Sequence, residues 1–381
     1  MGDDGRRTVD SEHDAVRRVE RNGWRGIDEH IATTTAVGAP FAFHSDRHSM
    51  NDLAIPEPRE PGSSELIQPA ALVLPAVAEP PLTERRPWLE RADIVDALSI
   101  TGGKTPVYLT ADDVAITTTG IGKSDAATTV TALLASPEID LSAAYVVSAG
   151  IAGGPPERIA LGSVAVADAV VDWDRKHRWD RATGADHESQ AGHTARPESN
   201  EGSDNPDARL DLLAYRPHDY VHHLDDTLVD TACKAADDVS LQTDADVRTY
   251  QASYPDAPAS GPAVERGPTV CGDEFWHGPR YAREVEWLCD AYGVSPYLTT
   301  QMEDAATATA LERFGLLNRY LSVRAVANYD RAAPGQSVEE SFDGNEASLA
   351  LALDNAARVG GAIVDELVES DPLEIKPKNG V

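Results

Sequence analysis

The sequence predicts an α/β fold, a three-layer α/β/α sandwich around a mainly parallel, twisted sheet. Short apolar runs rich in β-branched residues alternate along the chain with segments of helical periodicity. Those runs are almost continuously apolar, as strands buried on both faces require. Glycines also cluster directly after two of them, where a strand gives way to a helix. Alternation of this kind builds a parallel sheet with helices on both faces.

The elements follow in order. Residues 1–65 are polar, charged and proline-spotted, and PEPREPGSS at Pro56 to Ser64 has the composition of a linker, so this region is expected to be a poorly ordered extension. A first strand is expected within Leu66 to Ala78, and others at Val114 to Thr118 and Ala143 to Ser148. Between the last two, Ala127, Val130, Leu133 and Leu134 recur at helical spacing, with Ser124 as N-cap and Pro137 as the stop. Ser163 to Val171 is a further strand, and a polar stretch at about 181–209 has too few apolar residues for a core and is expected to be a mobile insertion. A helix at Asp225 to Val239, a proline-rich loop and a strand ending at Cys271 come next. Helices at Pro279 to Tyr292 and Glu303 to Arg313 precede the strand Tyr320 to Ala327. A long helix from Glu346 to Glu369 carries one apolar stripe, and residues 371–381 form a tail.

Composition narrows the function. Among 381 residues the acidic groups outnumber the basic ones 64 to 33, a formal charge of −31 spread along the chain. Such a field repels nucleic acids and anionic lipid surfaces, so neither is an expected partner. The excess reads as a solvation device for high salt, where screening shortens self-repulsion. Cys233, Cys271 and Cys289 form no CxxC pair and have no histidine at zinc-finger spacing, so no disulfide framework, metal or cofactor is expected. Arg6 and Arg7 are followed by no apolar stretch, and no uninterrupted apolar run of about 18 residues occurs. These points favour a soluble, cytoplasmic protein.

Ligands of such sheets bind beyond the carboxyl ends of the strands. At TTTGIGK, Gly120 and Gly122 let backbone amides at a helix start approach an anion or polar substrate, although a tight turn serves as well. At SAGIAGG, Ala149 and Gly150 admit a flat ligand near the backbone, or simply a crowded strand pair. CGDEFWHG groups Asp273, Phe275, Trp276 and His277, of which either large ring offers a stacking face for a heterocycle. Core filling and a capping aspartate are the plainer readings there. Glu303 and Asp304 lie at a helix start, where a carboxylate is favoured anyway, yet a carboxylate also accepts two hydrogen bonds from a vicinal diol. Asn328 offers the donor and acceptor that a purine N7 and O6 edge needs.

These segments resemble, in the same order, those of the nucleoside phosphorylase and nucleosidase superfamily. TTGIGKSDAATT is similar to its SGIGKVNAA-type turn, SAGIAGG to its NTGSAGG-type segment and CGDEFWHG to its SGDAF-type purine loop. QMEDAATATAL resembles its methionine-glutamate ribose motif, and VRAVANYD stands where it reads VRAISD or ITN. FWHG, MED, the NYD ending and His177 after VVDWD most resemble the purine nucleoside permease family. The resemblance implies a phosphorylase-like domain over 66–370. It further implies that Phe275 stacks on the purine, that Met302 packs under the sugar and that Glu303 holds the ribose hydroxyls. Asn328 takes the position of a catalytic aspartate or base-contacting asparagine, Asp330 supplies the acid, and Glu84 matches a glutamate following the first strand.

Where one phosphorylase branch binds phosphate through an arginine and a serine, this chain has Ser148 and Ile151. That loss of charge-assisted hydrogen bonds speaks against phosphate as a ligand. Three readings remain open: a purine nucleoside-binding component of uptake or salvage, an enzyme that cleaves the N-glycosidic bond, and a scaffold that has lost its ligand. The first implies a membrane partner if it acts in transport, and a homo-oligomer is compatible with all three.

Overall fold

The computed structural model describes residues 55–62, 66–179, 210–212, 215, 220–343 and 345–375. The expected insertion at 181–209, most of the 1–65 extension and the end of the tail lie outside the described residues.

Strand β1 (Ala71–Leu74) is shorter than its apolar run because Pro69 and Pro75 bound it. Helix α1 (Arg86–Arg91) follows, with a proline in its first turn, where the missing N–H costs nothing. Strands β2 (Ile94–Leu98), β3 (Val107–Thr110) and β4 (Val114–Ile116) form an antiparallel meander. Helix α2 (Gly122–Ala135) then leads to the long strand β5 (Tyr145–Gly154). The apolar run at 163–171 is two strands, β6 (Val164–Val166) and β7 (Ala169–Asp172), and a two-stranded ribbon pairs β8 (Lys176–Arg178) with β9 (Leu210–Leu212). After β10 (Val221–His223) comes α3 (Asp226–Asp237), capped by the Asp225 side chain.

The proline-rich segment beyond α3 is not all loop, because Asp244 caps a short helix there, α4 (Ala245–Gln251), by accepting two amide hydrogen bonds. Strands β11 (Val264–Arg266) and β12 (Thr269–Cys271), helix α5 (Pro279–Tyr292), strand β13 (Thr299–Gln301), helix α6 (Asp304–Arg313) and strand β14 (Tyr320–Tyr329) complete the alternation. A short α7 (Val338–Asp343) precedes α8 (Glu346–Ser370).

The main sheet runs β10-β7-β12-β13-β5-β1-β4-β3-β2, with β14 between β5 and β6, and β11 beside β6. Pairs β1–β4, β1–β5, β5–β14, β7–β12 and β12–β13 are parallel, and antiparallel pairs are found mostly toward the edges. Helices pack against it to give the three-layer sandwich. Helix α8 lays Leu351, Ala356, Ile363, Val364 and Leu367 on β5 and β14, and α3 packs beside it. The stretch Val338–Ser370 has the length and composition of a membrane-crossing helix, yet this stripe is core of the sandwich. Gly360 brings α8 onto the Trp88 ring of α1, where a Cβ would stand 2.8 Å from ring carbons.

Helix α2 departs from expectation at its start. Its N-cap is Ile121, which has no capping side chain, and Ser124 lies inside the helix. The caps come from elsewhere in the chain: Glu303 accepts from the Gly122 amide at 3.0 Å and Asp273 from the Lys123 amide at 2.7 Å.

Candidate functional site

The carboxyl ends of β1, β5, β13 and β14 and the segments after them surround one open cleft. Glu84, Phe275, Trp276, Met302, Glu303, Asn328 and Asp330 line it, with Ile121, Ile151, Gly153 and Gln301. Among the described residues, its lining contains the carboxylates Glu84, Glu274, Glu303 and Asp330 and no Lys, Arg or His side chain.

Glu84 is buried and binds three main-chain amides: Ala76 at 2.7 Å and Val77 at 3.1 Å after β1, and Ile151 at 2.8 Å in β5. It therefore ties two strand ends together. Burial raises its pKa against the opposing pull of Arg324 and these amides. The carboxylate fills the space beside Gly150, where a Cβ would meet it at 2.5 Å. Gly150 thus makes room for Glu84, and both it and the fully buried Ala149 lie outside the lining.

Glu303 stands between β13 and α6. The cap of α6 is the Gln301 amide oxygen, which accepts from Glu303 N at 2.8 Å and Asp304 N at 2.9 Å. The Glu303 side chain is thereby spared that task and turns toward the cleft and the start of α2. Burial, reinforced by Glu84 and Asp304 and opposed by Arg324 and the Gly122 amide, pushes its pKa up to about 7.

Asp304 faces away from the cleft. It is fully buried and pairs with Arg324, whose Nε donates at 3.2 Å and whose Nη2 makes a second, short contact; Ser322 donates to the same carboxylate at 2.5 Å. Gly120 and Gly122 adopt positive φ of 86° and 82°, the reason for glycine at both. The amides they expose at the α2 start are already bonded to Glu303 and Asp273, so the turn has no free amides for an anion at Gly122 or Lys123.

A bulge in β14 between Val326 and Asn328 shifts the register against β5, and Asn328 emerges at the cleft just beyond it. Its Nδ2 donates to Tyr329 O at 3.0 Å. Asp330 accepts from Tyr297 OH at 2.5 Å and Arg331 Nε at 2.6 Å, and burial outweighs both to raise its pKa.

In the segment after β12, Phe275 is half exposed at the cleft and meets the Phe342 ring edge-on at 5.1 Å between centroids. Trp276 is buried against Trp173. His277 lies outside the lining, bonded to Ser341 at 2.9 Å, with its pKa lowered by burial and by Arg331. His177 sits on the β8–β9 ribbon against Trp179 and Tyr215, away from the other candidates.

The family model described as purine nucleoside permease matches residues 69–371. The chain belongs to the purine nucleoside permease family. The match begins two residues before β1 and ends just after α8, so the family portion is the sandwich with its cleft. A Schizosaccharomyces pombe relative named "Probable purine nucleoside permease" is 29% identical over 301 residues, 75% of this chain and 86% of that one. A Candida albicans purine nucleoside permease is 26% identical over 363 residues, covering 90% and 84%. Among solved structures, futalosine hydrolase of Helicobacter pylori aligns at a TM-score of 0.51 with 17% identity, over 79% of this chain and 99% of that chain, a likeness of fold.

Sequence reasoning passed over Arg324, Gln301 and Tyr297 in this permease-family site. One signal was available for the first: an arginine amid the apolar run of a central strand needs a buried anion. Gln301 and Tyr297 act through contacts that no local pattern announces.

Proposed function

We propose that the cleft binds a purine nucleoside, as a component of nucleoside uptake or salvage on the cytoplasmic side. The observation that carries this is Glu303: buried, relieved by Gln301 of capping its own helix α6, bonded to one amide of α2, and lining the cleft with oxygens that have acceptor capacity left for a ribose diol. Phe275 supplies an accessible ring for the base and Asn328 a donor and acceptor for its edge. Acidic lining, together with the occupied amides at the α2 start, favours an uncharged nucleoside over a phosphorylated one and disfavours phosphate. In uptake the protein acts with a membrane partner, since the apolar stripe of α8 is committed to the core.

A second reading, hydrolysis of the N-glycosidic bond, is favoured by Asp330, a buried carboxyl with raised pKa in the same cleft. Such a group can hold a proton for the departing base. Calorimetry with inosine and uridine tests the binding reading: inosine binds more tightly, and equal affinities sink it. Release of free base from inosine without phosphate selects hydrolysis; intact inosine leaves binding alone.

A further inference from the structure

Two adjacent acids, Glu303 and Asp304, compete for one buried guanidinium. Arg324 is 2% exposed and Asp304 is fully buried. The planar guanidinium meets the Asp304 carboxylate with two donors, Nε at 3.2 Å and Nη2 closer still, while Nη2 stays 3.4 Å from Glu303 Oε2. The Nε–Nη2 edge of a guanidinium pairs with a single carboxylate in this way. Asp304 holds the better geometry because it is fixed at both ends: Ser322 Oγ donates to its side chain at 2.5 Å and its amide is bound by Gln301 at 2.9 Å.

We propose that Asp304 is a positioning residue, which by holding the Arg324 guanidinium keeps the Glu303 carboxylate open for the sugar hydroxyls of the ligand. This rests on the reading of the cleft as a nucleoside site. Without Asp304, a buried cation lacks its partner, and the nearest acid able to replace it is Glu303. The groups facing Glu303 are Glu84 from the segment before α1, the Gly122 amide of α2, Cys271 of β12, Asp304 of α6 and Arg324 of β14. Only Arg324 among them is cationic, so its allegiance decides whether the glutamate serves the ligand or the protein.

The test is Asp304→Asn, with calorimetric binding of inosine and of the free base hypoxanthine between pH 6 and pH 9. Inosine affinity at pH 9 is expected to fall by about tenfold, the loss of one charge-assisted hydrogen bond, while hypoxanthine affinity holds. Inosine affinity should also lose its rise with pH near neutrality, because Arg324 now keeps Glu303 ionised. The double variant Asp304→Asn with Arg324→Gln removes competitor and cation together and should recover the preference for inosine over hypoxanthine at pH 9. It decides the matter if the single variant does not fold. Equal loss for both ligands, an unchanged inosine affinity, or a double variant with no preference overturns the role of Asp304. A wild-type protein that fails to bind inosine overturns the nucleoside reading itself, and this proposal with it.

Discussion

At the scale of single residues, the pKa of about 7 at Glu303 makes a directional prediction. Below that pH the carboxyl is protonated and carries a donor; above it, both oxygens accept. Nucleoside affinity should therefore rise as pH increases through about 7 and then level off, with one proton released on binding below the midpoint. Glu303→Gln keeps the size but weakens acceptance from a diol by about 1.5–3 kcal/mol, so affinity falls tenfold or more and the pH dependence disappears. Free base should bind as before; an equal loss for both ligands would make Glu303 a structural residue. The sequence showed Glu303, Met302, Phe275 and Asn328 because each lies at or just after the end of a strand within a short motif, and all four line the cleft. It could not separate Glu303 from Asp304, since neighbours at a helix start share one local environment. Only the packing of β14 against α6 assigns Asp304 to Arg324 and leaves Glu303 to the cleft.

At the scale of elements, one long helix and one short one position the site through close packing. Helix α8 was legible from end to end because its stripe repeats over seven turns. Helix α1 was not, being six residues long and opened by a proline. Yet α1 carries Trp88, which rests on Gly360 of α8, and Glu84 lies just before α1. Gly360→Val adds bulk where a Cβ would already meet the indole at 2.8 Å. Relief requires Trp88 to withdraw, an overpacking cost of about 1–3 kcal/mol that exceeds any gain in helix propensity. Chemical denaturation should show that loss, and nucleoside affinity should fall with it as the loop bearing Glu84 shifts. Unchanged stability would mean that α1 floats on α8 without consequence for the cleft.

At the scale of the whole molecule, alternation of strand and helix led to the sandwich, while β2 and β3 of the meander escaped notice because short, partly exposed strands have weak patterns; β4, buried beside β1, was expected at Val114 to Thr118. Net charge was legible at once, and its consequence is the last prediction. A formal charge of −31 opposes compaction, and bases are too few to neutralise it locally: Arg266 is shared by Asp168, Asp226 and Asp230 at 3.3, 3.0 and 2.6 Å. Elsewhere acids face acids, as where Asp112 adds to burial in raising the pKa of Asp365. Added salt acts on both kinds of contact. It weakens exposed ion pairs, each worth about 0–1 kcal/mol, and it relieves repulsion as the screening length drops from about 10 Å at 0.1 M to about 3 Å at 1 M. With almost twice as many acids as bases, relief acts on more pairs than loss does. The melting temperature should therefore climb by several degrees between 0.1 M and 2 M KCl, steeply at first and then less so as screening saturates. Replacing surface aspartates that lack a basic neighbour with asparagine should flatten that climb by raising the low-salt end. A melting temperature that falls with KCl would show that the ion pairs outweigh the repulsion, and that the acidic excess is no adaptation to salt.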